Sequence, residues 1–203
     1  MMAVELEKGM LLLVEGTHDK MFFEALLGTM GMMNIQTLDL AGKNNLRSNL
    51  GLIRNHTRFS TVSAIGIIRD ADTDPRAAFQ AVSGALAANG FDPPAGCLQP
   101  TSGPPRISVM IVPSVTRKGS LETICLESAG EQPLMACVRD YFLCAKSCGQ
   151  ATWDFEDKNR MWAYLAGQRD TDMHMGIAAT KGYWHWSHAA FKPLKKFLKV
   201  AFS

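Results

Sequence analysis

The sequence predicts an α/β fold with a compact four-stranded parallel sheet and a helical C-terminal extension. Four short apolar runs alternate with amphipathic segments over residues 1–130. This alternation is typical of parallel strands joined by helices that cover both faces of the sheet. Residues 131–203 have the periodicity of helices, and we expect them to pack on the sheet within a single domain. A chain of 203 residues, 47% of them hydrophobic, can bury such a core.

Each element is predicted from local signals in the chain. Apolar runs too short for helices mark the strands, at 10–14, 35–40, 62–68 and 107–112. The helix after the third strand begins at Asp74-Pro75, an N-cap followed by a proline at the first helical position. The loop over 92–105 contains five of the nine prolines and is expected to be irregular. Later helices are predicted after Ser120 and, in the last third, at about 133–147, 153–167 and 187–200.

Composition excludes several classes of protein. No apolar run approaches the ~20 residues that a membrane-spanning helix needs, and the N-terminal apolar run lacks the features of a signal peptide. We therefore expect a cytoplasmic protein without a membrane partner. The five cysteines are odd in number and have no CxxC spacing. We expect them to be buried thiols in a reducing compartment, with a zinc or redox site as the alternative.

Carboxylates follow the predicted strands at the points where the strands end. The set consists of Glu15, Asp19, Asp70, Asp72 and Glu122. Because the carboxyl ends of parallel strands meet at one edge of a sheet, we expect these side chains to lie close together. Acids at this density repel one another and need either a compensating cation or raised pKa values. Oxygen ligands suit Mg²⁺ or Mn²⁺ better than zinc, so the pattern predicts one or two such ions at this edge.

Some of these acids also have a simple structural explanation. Asp19 and Glu122 fall in the first turns of predicted helices, where the helix dipole favours a negative charge whatever the function. Asp74 is explained by its position as an N-cap. Glu15, Asp70 and Asp72 come directly after apolar strands, and solvation alone does not explain them. The evidence for a functional site therefore depends mainly on these three residues.

The spacing of these motifs resembles a known family. Val14-Glu15-Gly16-Thr17-His18-Asp19 after one strand and Asp70-Ala71-Asp72 after another resemble the Toprim domain of topoisomerases, primases and small nucleases. Gly42 after the second strand, Gly119-Ser120-Leu121-Glu122 and a later lysine make the set more similar to the OLD-type nuclease branch. The resemblance covers about residues 10–125, with a weaker similarity over 156–182. It implies a compact Rossmann-like sheet.

The resemblance implies hydrolysis of phosphodiester bonds in DNA or RNA with Mg²⁺ or Mn²⁺. Glu15 would be a metal ligand and a general acid or base, and the other four acids would complete the metal site. The catalytic lysine would be Lys158 or Lys181, and the sequence leaves this choice open. The sequence contains no ATP-binding P-loop, so we expect a Toprim unit without the ATPase that OLD-type proteins carry. The alternatives are therefore a non-hydrolytic nucleic-acid-binding or processing module that needs a partner such as an ATPase, or a phosphohydrolase acting on small molecules.

The C-terminal segment is basic and contains aromatic residues. After Asp172 the chain has no acid, and residues 1–172 carry a net charge of −3 although the whole chain is at +2. We predict nucleic-acid contacts for Lys43 and for the lysines that share one helical face at the C-terminus, namely Lys192, Lys195, Lys196 and Lys199. The alternative is a solvated basic face. The nearby Tyr183, Trp184 and Trp186 are either base-stacking or core residues.

Overall fold

The computed structural model describes residues 5–149, 156–170 and 173–203. Within them the chain forms four strands, β1 (Met10–Val14), β2 (Ile35–Asp39), β3 (Ala64–Asp70) and β4 (Arg106–Val112). All neighbouring strands are parallel, and their order across the sheet is β2-β1-β3-β4. The predicted Rossmann-like α/β fold is confirmed.

Eight α-helices accompany the sheet in the described residues. They are α1 (Thr17–Thr29), α2 (Leu46–Arg54), α3 (Pro75–Ala87), α4 (Leu121–Ala129), α5 (Leu134–Ser147), α6 (Glu156–Ala166), α7 (Met175–Thr180) and α8 (Lys192–Phe202). Of the helix predicted over 153–167, residues 153–155 lie outside the described residues. The helix predicted from 187 begins only at Lys192, with Pro193 in its first turn, where a missing N–H costs nothing. The six-residue α7 was not predicted, because it is too short to show periodicity.

Both faces of the sheet are buried, as expected for parallel strands. Alternate residues of β1 point to opposite sides: Leu11 and Leu13 join a core with α2 and α3, whereas Leu12 and Val14 join a core with α1 and the later helices. From α8, Phe197 packs fully buried in this second core. The Arg106 guanidinium at the start of β4 donates to backbone carbonyls at the C-terminus of α8. The described residues of the last third therefore share a core with the strands.

The expected burial of the cysteines is wrong for three of them. Cys125 is fully buried and Cys97 is partly buried, but Cys137, Cys144 and Cys148 are exposed. The exposed thiols lie on the outer side of α5 and just beyond it, because the residues of α5 that face inward are Met135, Val138 and Phe142. Among the helices of the described residues, none is long and apolar enough to cross a membrane.

Candidate functional site

The carboxyl edge of the sheet opens into a cavity of about 500 Å³. Four of the five predicted metal ligands line it together with one of the two candidate lysines; these residues are Glu15, Asp19, Asp70, Glu122 and Lys158. They come from the ends of β1 and β3, the first turns of α1 and α4, and the first turn of α6. The strand-end pattern of the sequence therefore converges in space as expected.

Glu15 connects β1 to β3. Its Oε1 atom accepts a hydrogen bond of 3.0 Å from the backbone N–H of Asp70. The same oxygen lies 3.2 Å from Nε of Arg69 in an ion pair, and both side chains are largely shielded from solvent. Glu15 is thus on the same sheet edge as Asp70, which the predicted site requires.

Asp70, the last residue of β3, is held from two sides. Its Oδ1 atom accepts a hydrogen bond of 3.0 Å from the backbone N–H of Leu121, the first residue of α4. Its Oδ2 atom lies 3.5 Å from Nζ of Lys158. Burial raises the pKa of Asp70 well above its usual range, and repulsion by Glu15 and Glu122 adds to this effect. The site therefore disfavours the ionised form of this carboxyl group.

Asp19 combines a structural and an electrostatic role. Its Oδ2 atom accepts a hydrogen bond of 3.2 Å from the backbone N–H of Gly16 at the start of α1. Burial, followed by repulsion from Glu122 and Glu15, raises the pKa of Asp19 to about 7. A carboxyl group that only capped a helix at the surface would not show this rise.

Asp72 does not share the cavity with the other four acids. Its backbone is in the left-handed region, with φ of 47°, and is paired with the backbone of Gly119 through two hydrogen bonds. The side chain lines an adjoining recess of about 220 Å³, together with Asp157 and Lys158. The Oδ2 atom of Asp72 accepts a hydrogen bond of 2.8 Å from Nζ of Lys43, the lysine predicted to contact nucleic acid.

The two candidate lysines have different environments. Lys158 lines both the cavity and the recess. Burial lowers the pKa of Lys158, but attraction to Glu122 and Asp70 outweighs burial, so the pKa is raised and the side chain stays charged. Lys181 instead forms an ion pair of 3.1 Å with Asp170. Lys181 is not among the described residues that line the cavity. The geometry favours Lys158.

The basic C-terminal face lies away from the cavity. Lys192, Lys196 and Lys199 are exposed and Lys195 is half-buried, and none of these four contributes to the described lining of the cavity. The aromatic residues before them are packed inward. Trp184 is buried and stacks on Tyr164, and Trp186 packs against Phe22. A base-stacking role for Trp184 is therefore wrong. Trp186 and Tyr183 are only partly buried, and their role, like that of the lysines, stays a prediction.

Three residues of the cavity wall were not predicted. The rings of His18 and His174 lie 3.6 Å apart between centroids, and Trp162 lies on α6. His174 precedes α7, which packs so closely on α1 that a Cβ atom at Gly176 would lie 2.6 Å from the carbonyl oxygen of His18. His18 falls within the first motif, but His174 and Trp162 carry no local signal in the sequence.

Comparison with known proteins gives a family and no further relative. A family model described as a protein of unknown function, DUF3226, matches residues 9–203. The chain belongs to this family. No curated protein and no solved structure matches it. The DUF3226 match covers both the sheet and the C-terminal helices, and so includes every residue of the cavity wall described above.

The donor atoms of this DUF3226 site fit a hard divalent cation, although they are not arranged around one. In the described parts of the chain, no three His, Cys, Asp or Glu side chains are spaced as ligands of a single ion. Basic side chains of the protein form ion pairs with three of the acids: Arg69 with Glu15, Lys158 with Asp70 and Lys43 with Asp72. Carboxylate oxygens are the ligands that Mg²⁺ and Mn²⁺ prefer. Burial is the main cause of the raised pKa values of Asp19 and Asp70, and a bound cation would relieve the repulsion that adds to it.

The raised pKa of Asp19 predicts an unusual pH dependence of stability. Between about pH 4 and pH 7 the folded protein holds a proton on Asp19 that the unfolded chain has lost, so its contribution to the free energy of unfolding falls as pH rises. At about 1.4 kcal/mol per pKa unit, the loss is up to about 4 kcal/mol above pH 7. Urea unfolding in EDTA at several pH values measures this loss in the free energy of unfolding.

Comparison of variants isolates this contribution. In Asp19→Asn the decrease should become smaller by the part that Asp19 contributes, while the part due to the raised pKa of Asp70 remains. Asp140→Asn, at an exposed position on α5, should keep the wild-type profile. If the free energy of unfolding changes equally with pH in wild type and in Asp19→Asn, Asp19 is ionised in the folded protein throughout this range.

Proposed function

We propose that this member of DUF3226 is a cytoplasmic, Toprim-like nuclease that hydrolyses phosphodiester bonds in DNA or RNA with Mg²⁺ or Mn²⁺. The observation that supports the proposal best is the meeting of four carboxylates and one lysine in a single cavity at the carboxyl edge of the sheet. The motifs that resemble Toprim nucleases supply these carboxylates. Because these carboxylates repel one another, binding of a cation in the cavity would be favourable.

Glu15, Asp19, Asp70 and Glu122 would hold the ion or ions, and Asp72 would contribute from the adjoining recess. A bound divalent ion supplies Lewis-acid stabilisation of the charge that develops on the phosphate during hydrolysis. Glu15 would transfer the proton at the attacking or leaving oxygen. Lys158 borders both the cavity and the recess, so its ammonium group would neutralise a phosphate bound next to the acids.

A cleavage panel tests the proposal directly. Supercoiled plasmid, single-stranded DNA and single-stranded RNA are incubated with the purified chain in Mg²⁺, Mn²⁺, Ca²⁺ or EDTA. We expect cleavage of at least one substrate in Mg²⁺ or Mn²⁺ and none in EDTA. Absence of metal-dependent cleavage on all three substrates would contradict a nuclease that acts alone.

One observation favours a second candidate, a non-hydrolytic nucleic-acid-binding module that acts with a partner protein such as an ATPase. Arg69, Lys158 and Lys43 already neutralise Glu15, Asp70 and Asp72 in the chain by itself. On this alternative a partner would be needed to separate these pairs and complete the site. Binding of Mn²⁺ and nucleic acid without cleavage, followed by cleavage after addition of a partner, would support it.

The choice between the two lysines is a prediction of the nuclease proposal. Lys158→Met should lower the cleavage rate by about 10²- to 10³-fold, the usual cost of removing a group that stabilises developing charge. Lys181→Met is the matched control, because it removes a lysine of similar exposure that pairs with Asp170 outside the cavity. It should change the rate by no more than about twofold. A larger loss for Lys181→Met than for Lys158→Met would reverse the assignment.

A further inference from the structure

An exposed tryptophan borders the candidate site. Trp162 is 58% exposed although the described residues bury most large aromatic side chains. It lies on α6 one helical turn after Lys158 and contributes to the wall of the acidic cavity. An indole left in water beside a charged cavity is not explained by packing, since core aromatics lose their solvent contact on folding.

On its other side Trp162 borders an apolar groove of about 580 Å³ between α5 and α6. Tyr141, 61% exposed, lines the same groove. Within the described residues, these two are the aromatic side chains that remain largely exposed. Trp162 is shared by the cavity and the groove, so a ligand that extends from the acids along α6 passes over its ring.

The spacing along α6 suits a nucleotide. Residues four apart on a helix lie on the same face with Cβ atoms about 5–6 Å apart, which places Trp162 next to Lys158. A phosphate held beside Lys158 therefore brings the base of the same or the neighbouring nucleotide within reach of the indole. A base can lie there only when it is unpaired, because extracting a base from a duplex costs a few kcal/mol.

The charge beside the indole suits a phosphate. Lys158 borders the cavity one helical turn before Trp162. The groove wall is apolar, and the guanidinium of Arg160, 5.0 Å from the ring of Phe142 in that wall, is paired with Glu156. A phosphate at Lys158 would therefore lie next to an apolar surface that suits a base.

We propose that Trp162 stacks on an unpaired base next to the phosphate bound at Lys158, so that single-stranded DNA or RNA is the preferred substrate class. The inference rests on the proposed function, because it takes the phosphate bound at Lys158 to be the one that the protein cleaves. The stacking contact itself does not depend on cleavage, and binding measurements test it separately.

The test measures binding of a labelled single-stranded oligothymidylate by fluorescence anisotropy in Ca²⁺ and in EDTA. Its comparison probes are an oligomer with abasic residues and a duplex. Trp162→Ala should weaken binding of the single strand by about 5- to 100-fold, the usual loss for one stacked base. Trp162→Phe should retain most of the affinity. Leu143→Ala is the matched control, because Leu143 is 65% exposed on α5 but lies outside the described lining of both the cavity and the groove.

The outcomes separate this inference from the proposed function. Equal affinity of wild type for the abasic and the normal oligomer, or unchanged binding in Trp162→Ala, would overturn the stacking contact even if the chain cleaves nucleic acid. Selective loss in Trp162→Ala without any cleavage would support stacking and contradict the nuclease. If light scattering finds a dimer that Trp162→Ala dissociates with no change in affinity for the oligomer, the groove is an interface between two copies of the chain, and the proposal is wrong.

Discussion

Replacement of Glu15 by glutamine is expected to lower the rate of nucleic-acid cleavage by about 10²- to 10⁴-fold, the range for loss of a general acid or base. The amide has the shape of the carboxyl group, and its oxygen can still accept the hydrogen bond from the backbone of Asp70. It carries no charge for a cation and cannot transfer the proton. A time course of plasmid or oligonucleotide cleavage in Mn²⁺ measures the loss.

The effect on stability should be much smaller than the effect on rate. Loss of the charge opposite Arg69 is expected to reduce the free energy of unfolding by about 1–3 kcal/mol, typical of hydrogen-bonded charged groups. Glu24→Gln is the matched control, because Glu24 pairs with Lys20 on the exposed face of α1, and it should keep the wild-type rate. Full activity of a folded Glu15→Gln protein would remove Glu15 from the chemistry.

Replacement of Asp70 by asparagine is expected to stabilise the metal-free protein while weakening its binding of Mn²⁺. The variant removes a buried charge that Glu15 and Glu122 repel, and its amide oxygen can still accept the hydrogen bond from Leu121. Unit charges about 4 Å apart repel by ~1–4 kcal/mol, so the gain should appear as a higher melting temperature in EDTA at alkaline pH. The gain should shrink as pH falls, because burial and repulsion raise the pKa of Asp70 and so favour its neutral form in the wild type.

Asp72→Asn provides the internal comparison for Asp70→Asn. From the sequence alone both variants are expected to weaken Mn²⁺ binding and to stabilise the metal-free protein, because both relieve repulsion among the acids. In the structure Asp72 lies in the adjoining recess and is paired with Lys43, which is 47% exposed. Loss of such a pair changes stability by only about 0–1 kcal/mol. Thermal melts of both variants, with and without Mn²⁺, show whether both variants stabilise the metal-free protein or only Asp70→Asn does. Lower melting temperatures for both in EDTA would mean that these acids are structural.

Local patterns were sufficient where neighbouring residues decide the structure. The four strands agree with the apolar runs to within two residues, because a buried parallel strand needs a continuous run of apolar side chains. The acids at the ends of β1 and β3 were placed correctly for the same reason, since parallel strands bring their carboxyl ends to one edge. The predicted cap at Asp74 is also confirmed, with its carboxylate accepting from the backbone N–H groups of Arg76 and Ala77.

Packing between distant parts of the chain decided the rest of the site. Asp72 differs from Asp70 because a left-handed backbone paired with Gly119 turns its side chain toward the recess, and no signal within the motif indicates this. Lys158 reaches the acids while Lys181 pairs with Asp170, because the docking of the later helices determines which lysine faces the cavity.

The sequence by itself determined the α/β architecture and the edge of the sheet at which the acids gather, because both follow from periodicity and strand direction. Only the tertiary structure decided which aromatic residues border the cavity. Trp184 lies next to the basic segment in the sequence, yet it packs in the core against Tyr164, and Trp186 is partly buried against Phe22. Trp162 is left on the surface beside Lys158, since the side of α6 that packs inward is formed by Met161, Tyr164 and Leu165. Burial of a side chain depends on what packs against it, and that partner is remote in the sequence.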